Sequence, residues 1–330
     1  MIVSPEDITI LLNMLQACKI EVKLLTGAEL VSADIENQTL RVEAKPSLQG
    51  EIVNYRDIID CLQLSGILKP PNHTETVETV RQHTTMKQSL LGAKPVVAFD
   101  TNQFYTGYAN HLIEETKMEA FAYSKASKRE IEWRMEEKWS PKKEPAPKPY
   151  QHILHGRESK KARKAKVAYA NLLKARRKTV CLEAEAPITS GTSFNMDTHI
   201  IASLKKLPQT LDILLLTSDS NLALRAAGEN IKTAYIEQPT EAPATLKAIQ
   251  KQVNMTIYSL AAYSSAVELT VEGIPTAKIY AVWPGKTAIE WAQEKIKLEI
   301  ANENLANKYR KRARTARKVK NIVKEASSLL

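Results

Sequence analysis

Two short stretches constrain this chain more than any other part of it. KPVVAFD (94–100) and LDILLLTSD (211–219) are continuous apolar runs that end in an aspartate and lead straight into helix-like sequence. An uninterrupted apolar run of strand length is buried on both faces, which is the habit of a parallel sheet covered by helices on either side. EAFAYSK (119–125) and KTAYIEQP (232–239) read as further strands. QFYTGYANHLIEETKM, SKREIEWRMEEKW, MDTHIIASLKKL and SNLALRAAGENI read as the intervening helices, the last closed by Gly228. Alternation of this kind predicts a three-layer α/β/α core with a parallel central sheet.

In such a core the carboxyl ends of the strands form the rim where ligands bind. Asp100 and Asp219 stand at that rim by their place in the sequence. Asp197 opens a helix, and Glu130 lies in the first turns of the helix after the second strand. Each acid alone would serve as a helix cap or a solvated first-turn residue. Four on one rim would repel one another and raise each other's pKa. A hard divalent cation removes that cost, because it prefers carboxylate oxygens. Metal held this way activates water and stabilises a phosphate under in-line attack. Neither a nucleophilic side chain nor an organic cofactor is then needed. His199 reads as a packed or surface residue, and His152 and His155 sit at a linker edge without a discernible partner.

VVAFDTN, SKREIE, MDTHIIASL and LLLTSDSNLALRAAGENIKTAYI, in that order, resemble the signature of PIN-domain nucleases. The resemblance spans roughly 94–139 and 182–237. It implies a PIN-like fold, with Asp100, Glu130, Asp197 and Asp219 both catalytic and binding one or two Mg²⁺ or Mn²⁺ ions, supported by Asn102 and Thr217. It implies a hydrolase: a metal-dependent endoribonuclease cutting structured RNA such as a tRNA or rRNA precursor. The chain departs from a plain PIN nuclease in its basic stretch at about 140–180, its extra N-terminal region and its basic C-terminus. A PIN core with a basic helical insertion is also similar to small protein-only RNase P-type proteins, without a counterpart for the flanking regions. Two alternatives stay open: a structure-specific DNA nuclease, and a non-catalytic PIN-fold RNA-binding scaffold in an RNA-processing or ribosomal complex.

The net charge of +10 suits a polyanionic partner. Between 142 and 178 there are 13 Lys or Arg against two acids. Lys160, Lys161, Arg163, Lys164, Arg176 and Arg177 there, with Arg310, Arg312, Arg314 and Arg317 near the C-terminus, are the expected nucleic-acid-binding cations. They would grip phosphates rather than read bases. Tyr150, Tyr169, Tyr309 and Trp139 lie among or beside them as candidates for stacking on exposed bases.

Residues 1–90 are expected to form an accessory α+β region and 91–240 the nuclease domain, its basic insertion projecting from it. Residues 241–285 supply accessory strands, and 286–330 one long basic helix with Ile289, Ala292, Ile296 and Ile300 on a stripe. LKPPNHTETVETVRQHTT reads as a connector, APATLKAIQKQV as a helix and MTIYSLA as a strand. Cys18, Cys61 and Cys181 form no CxxC pair, which excludes a zinc ribbon. The N-terminus lacks a signal-peptide pattern and no run reaches the length of a membrane span. A soluble, cytoplasmic protein without membrane or small-molecule partners is expected.

Overall fold

The computed structural model describes residues 1–43, 52–85, 93–185, 196–285, 287–291 and 293–327. They divide into two units, one comprising 1–58, 145–155 and 243–330, the other 59–144 and 156–242. Among the described residues no helix is long and apolar enough to cross a membrane.

The second unit is α/β. Its parallel sheet has five strands in the order Val180–Ala184, Ala120–Ser124, Lys94–Phe99, Leu211–Thr217, Lys232–Tyr235. The two apolar runs are central neighbours, in register from Lys94 opposite Leu211 to Phe99 opposite Leu216. Side chains alternate across the sheet because the strand repeat is two residues. Val96 and Ala98 pack with Ile200, Ile201 and Leu204 of helix Met196–Lys205 and with Leu222 and Ala226 of helix Ser220–Gly228. Phe99 instead meets Phe104 and Phe121, and Phe104 meets Tyr123 edge-on.

The basic stretch departs most from expectation. Helix Lys160–Lys178 does not project; it is the crossover between strands Ala120–Ser124 and Val180–Ala184, packed on helices Lys125–Arg134, Thr101–Tyr105 and Tyr108–Thr116. Ala162, Ala165, Val167, Ala168, Tyr169, Leu172 and Ala175 are buried. Its small residues allow close packing, and lysine density hid an apolar face built mainly of alanine. The strand VCLEA that follows is short and only partly buried, and it escaped the apolar pattern. The connector expected after Pro71 is in part helix His73–Thr85, burying Val77 and Val80.

The first unit carries an eight-stranded antiparallel sheet. Strands Lys19–Lys23, Glu29–Asp34 and Thr39–Val42 form a meander next to Ala266–Val271 and Ile274–Tyr280. Helix Pro5–Met14 starts at the Ser4 cap in a reciprocal capping box with Asp7. It packs on helix Gln250–Ser264, which in turn covers Ala266–Val271. MTIYSLA therefore lies inside a buried helix, and only Thr245–Lys247 of the expected helix before it forms a strand. The single long C-terminal helix is also corrected. Ile296–Ile300 is a strand with buried Ile296 and Leu298, and the helix begins at Glu303. IKLEI has a period of two, which the isoleucine spacing alone concealed. Lys286 and Ala292 lie outside the described residues.

Candidate acidic site and basic surfaces

The chain leaves strand Lys94–Phe99 towards one edge of the parallel sheet and returns through Leu211–Thr217 on its other side. This is a topological switch point, where the helices that follow diverge and open a crevice. Asp100 and Asp219 follow these two strands. Each caps the next helix: Asp100 accepts from the Thr101 amide at 2.6 Å, and Asp219 accepts from Asn221 at 2.8 Å and Leu222 at 3.2 Å.

Thr217 ties the two positions together. Its buried hydroxyl donates to Asp100 Oδ2 at 2.9 Å and accepts from the Asp219 amide at 3.0 Å. Asn102 adds a bond to Asp100 Oδ2 at 3.2 Å. Asp100 is only 3% exposed. Burial pushes its carboxyl up to about 6, with the charges of Glu130 and Asp219 adding to the rise, while Thr217 and the Thr101 amide oppose it. Burial, then Asp219, also raises Asp197, against the pull of Arg225.

Glu130 bonds Arg134 at 2.8 Å, and Asp197 faces Arg225 at 3.5 Å. The four acids thus interact through charge but do not form one tight cluster. Among the described residues, no three acids, histidines or cysteines are grouped to hold a metal ion. His199 is buried, and His152 and His155 are exposed.

Local sequence pointed to Asp100, Asn102, Thr217 and Asp219, but several neighbours had no comparable signal. Ser218 accepts bonds from Gln103 at 2.8 Å and Gln238 at 2.6 Å. Thr101 Oγ1, Gln103 Oε1, Tyr105 OH, Ser127 Oγ and Arg134 Nε are buried without partners among the described residues. They lie on the two helices that follow the first and second strands of this sheet, and Tyr105 feels the charges of both Arg134 and Glu130. Orphaned buried polar atoms are rare in folded proteins and call for an unseen water, ion or substrate. Only the Glu130–Arg134 pair, at the i, i+4 helical spacing, was legible locally.

Asp100 and Asp219 are the carboxylates that could hold a magnesium-like ion, which keeps several waters and needs only one or two carboxylates.

The basic residues separate into two groups. Arg163 is 1% exposed, donating to the Glu158 carbonyl at 2.7 Å, so it is no surface cation. Lys164 pairs with Asp60 at 3.0 Å and Arg176 with Glu183 at 3.0 Å, whereas Lys161 and Arg177 are exposed and Lys160 is partly so. On helix Glu303–Ser327, Arg312 and Arg314 are exposed, Arg310 bonds Asn307 at 2.7 Å, and Arg317 pairs with Asp7 at 3.0 Å. The aromatic candidates are largely packed. Tyr150 donates to the Ala266 carbonyl and accepts from the Leu25 amide, Tyr309 is 2% exposed, Tyr169 is buried, and Trp139 donates to the Glu144 carbonyl.

No protein-family profile and no curated protein matches the chain. A solved domain of a functionally unknown protein from Methanocaldococcus jannaschii DSM 2661 is similar at 18% identity and a TM-score of 0.32, covering 45% of this chain and 95% of that one.

Proposed function

We propose that the parallel unit is a PIN-type, divalent-metal-dependent phosphodiesterase acting on structured RNA. The observation that carries this reading is the Asp100–Thr217–Asp219 arrangement at the switch point. The buried Asp100 carboxyl is raised to about 6, first by burial and further by the charges of Glu130 and Asp219, and among the described residues no cation is bonded to it. A structural cap needs neither that burial nor the like-charged neighbours. Mg²⁺ or Mn²⁺ held by Asp100 and Asp219 would polarise a phosphoryl oxygen and supply an activated water. Thr217 would fix the angle between the two carboxylates. Asp197 and Glu130 would act through bound waters, with Arg225 and Arg134 keeping them in place. Arg312 and Arg314 offer exposed cations for phosphate contact in a chain of net charge +10.

Incubation with total cellular RNA and Mn²⁺, with new ends mapped for the wild type and Asp100→Asn, tests the proposal. Ends made only by the wild type support it; identical ends from both proteins defeat it. Matched RNA and DNA substrates decide between an RNA nuclease and a structure-specific DNA nuclease.

A non-catalytic RNA-binding scaffold is the second reading. It is favoured by the Glu130–Arg134 and Asp197–Arg225 pairs, which neutralise two of the four acids internally. RNA binding that persists without any Mn²⁺ binding would select it.

A further inference from the structure

The four tryptophans of the chain are not alike. The indole N–H groups of Trp139, Trp283 and Trp291 donate to the Glu144 carbonyl, the Tyr258 hydroxyl and the Gly285 carbonyl. Trp133 is 78% exposed, and among the described residues its indole has neither a hydrogen bond nor a ring contact. It stands on helix Lys125–Arg134, which buries Ala126, Ser127 and Ile131 on a face that excludes it. Leaving so large an apolar ring in water is unfavourable, and nothing in the packing of this helix requires it.

The place of that ring on the helix gives its exposure a context. Strand Ala120–Ser124 runs parallel to Lys94–Phe99, so the helix capped by Ser124 starts from the rim that carries Asp100. Glu130, whose charge acts on Asp100, precedes Trp133 by three residues. At that helical spacing two side chains are surface neighbours, with Cβ atoms about 5–6 Å apart. Arg129 lies one turn nearer the rim, at i, i+4 to Trp133. It is exposed, and among the described residues no carboxylate pairs with it. The other cations of this helix are compensated: Lys125 pairs with Glu185, Lys128 faces Glu132 at 4.0 Å, and Arg134 bonds Glu130 at 2.8 Å. Glu136 is exposed about one turn beyond Trp133, followed by Glu137 and Lys138 of opposite charge. A free positive charge therefore lies on the side of the indole nearer the acidic rim, and an acid on the far side.

We propose that Trp133 is a stacking platform for an unpaired base of the RNA strand that reaches the acidic rim, with Arg129 holding a phosphate of the same segment. An indole face accepts any base, because every base has a π-face. Bases in loops, bulges and ends can be splayed out onto such a ring, whereas those of a duplex are stacked on one another. The substrate class is thereby narrowed to RNA with a single-stranded stretch beside the cut. The position of the cut rests on the nuclease reading of the acidic site; binding of the strand requires no metal.

The test is ¹⁹F spectroscopy of the full chain labelled with fluorotryptophan, the Trp133 resonance being assigned by its loss in Trp133→Phe. In EDTA, where no metal-dependent cleavage occurs, a short oligoadenylate should shift that resonance, and an RNA duplex of the same length should not. Trp133→Ala should weaken oligoadenylate binding by about fivefold or more, and Trp133→Phe by less; the exposed position spares the core in both. An unmoved Trp133 resonance, or equal shifts with strand and duplex, would overturn the proposal. So would broadening of that resonance with protein concentration alone and no response to RNA, which would make this face a contact between copies of the chain. Cleavage in Mn²⁺ by the wild type separates the two readings. No cleavage with a shifted resonance keeps the platform and defeats the nuclease; cleavage with an unmoved resonance does the reverse.

Discussion

Asp100 is where residue-scale physics makes the sharpest demand. Its carboxyl rises from an ordinary 3.8 to about 6 on folding, first through burial. The folded state therefore holds the proton more tightly than the unfolded chain. The resulting stability is fully present below about pH 4 and is lost as pH rises through 6. In metal-free protein this amounts to roughly 3 kcal/mol. Urea unfolding in EDTA at pH 5 and pH 8 should show wild type losing stability relative to Asp100→Asn as pH rises; a constant difference would contradict the assignment. Thr217→Val would remove the hydroxyl that serves both positions, and metal affinity should fall roughly 10- to 100-fold. Thr217→Ser should restore most of it in the same titration. Asp100, Asn102, Thr217 and Asp219 were legible because strand end, cap and turn are local patterns. Tyr105, Ser127 and Arg225 were not, because their surroundings come from helices distant in the chain.

At the scale of elements, capping and metal binding make separable predictions for Asp219. Asp219→Asn keeps an oxygen for the Asn221 and Leu222 amides and should hardly change stability. Asp219→Ala should cost about 0.5–2 kcal/mol through loss of the cap, measured by thermal or chemical unfolding. Both should impair metal binding. Helix Lys160–Lys178 teaches a different lesson. Its composition suggested a basic arm, yet it is a packed crossover whose Arg163 and Lys166 are buried. Charge counts along a sequence do not show which lysine stems lie against a neighbouring helix. Arg163→Ala should therefore destabilise the protein by several kcal/mol, as expected when a buried charge network is broken. A surface-like change under 0.5 kcal/mol in chemical denaturation would refute that role. Strands with strong apolar runs, such as VVAF and ILLLT, were readable. VCLEA and IKLEI were not, one because it is half-covered and the other because polar residues alternate within a helix-like context.

For the whole molecule, the parallel α/β unit and its rim were legible from repeated strand–helix patterning. The assembly of 1–58, 145–155 and 243–330 into one antiparallel unit was less so, since edge pairings such as Ile2 with Lys297 leave no local trace. Charge is a property at this scale too. If RNA lies on the C-terminal helix, replacing Arg312 and Arg314 with alanine should weaken binding across sequences. It should also lower the salt slope of single-stranded RNA binding by roughly 0.7 per lost phosphate contact, read from affinities at several salt concentrations. An unchanged slope would place the nucleic acid elsewhere. The central claim is that Asp100 and Asp219 together hold a divalent cation. Calorimetric titration of Mn²⁺ into the wild type and Asp219→Asn, both shown to be folded, addresses it most directly. Saturable binding in the wild type that is lost or weakened at least tenfold in Asp219→Asn is the predicted result; equal binding by both, or by neither, would contradict it.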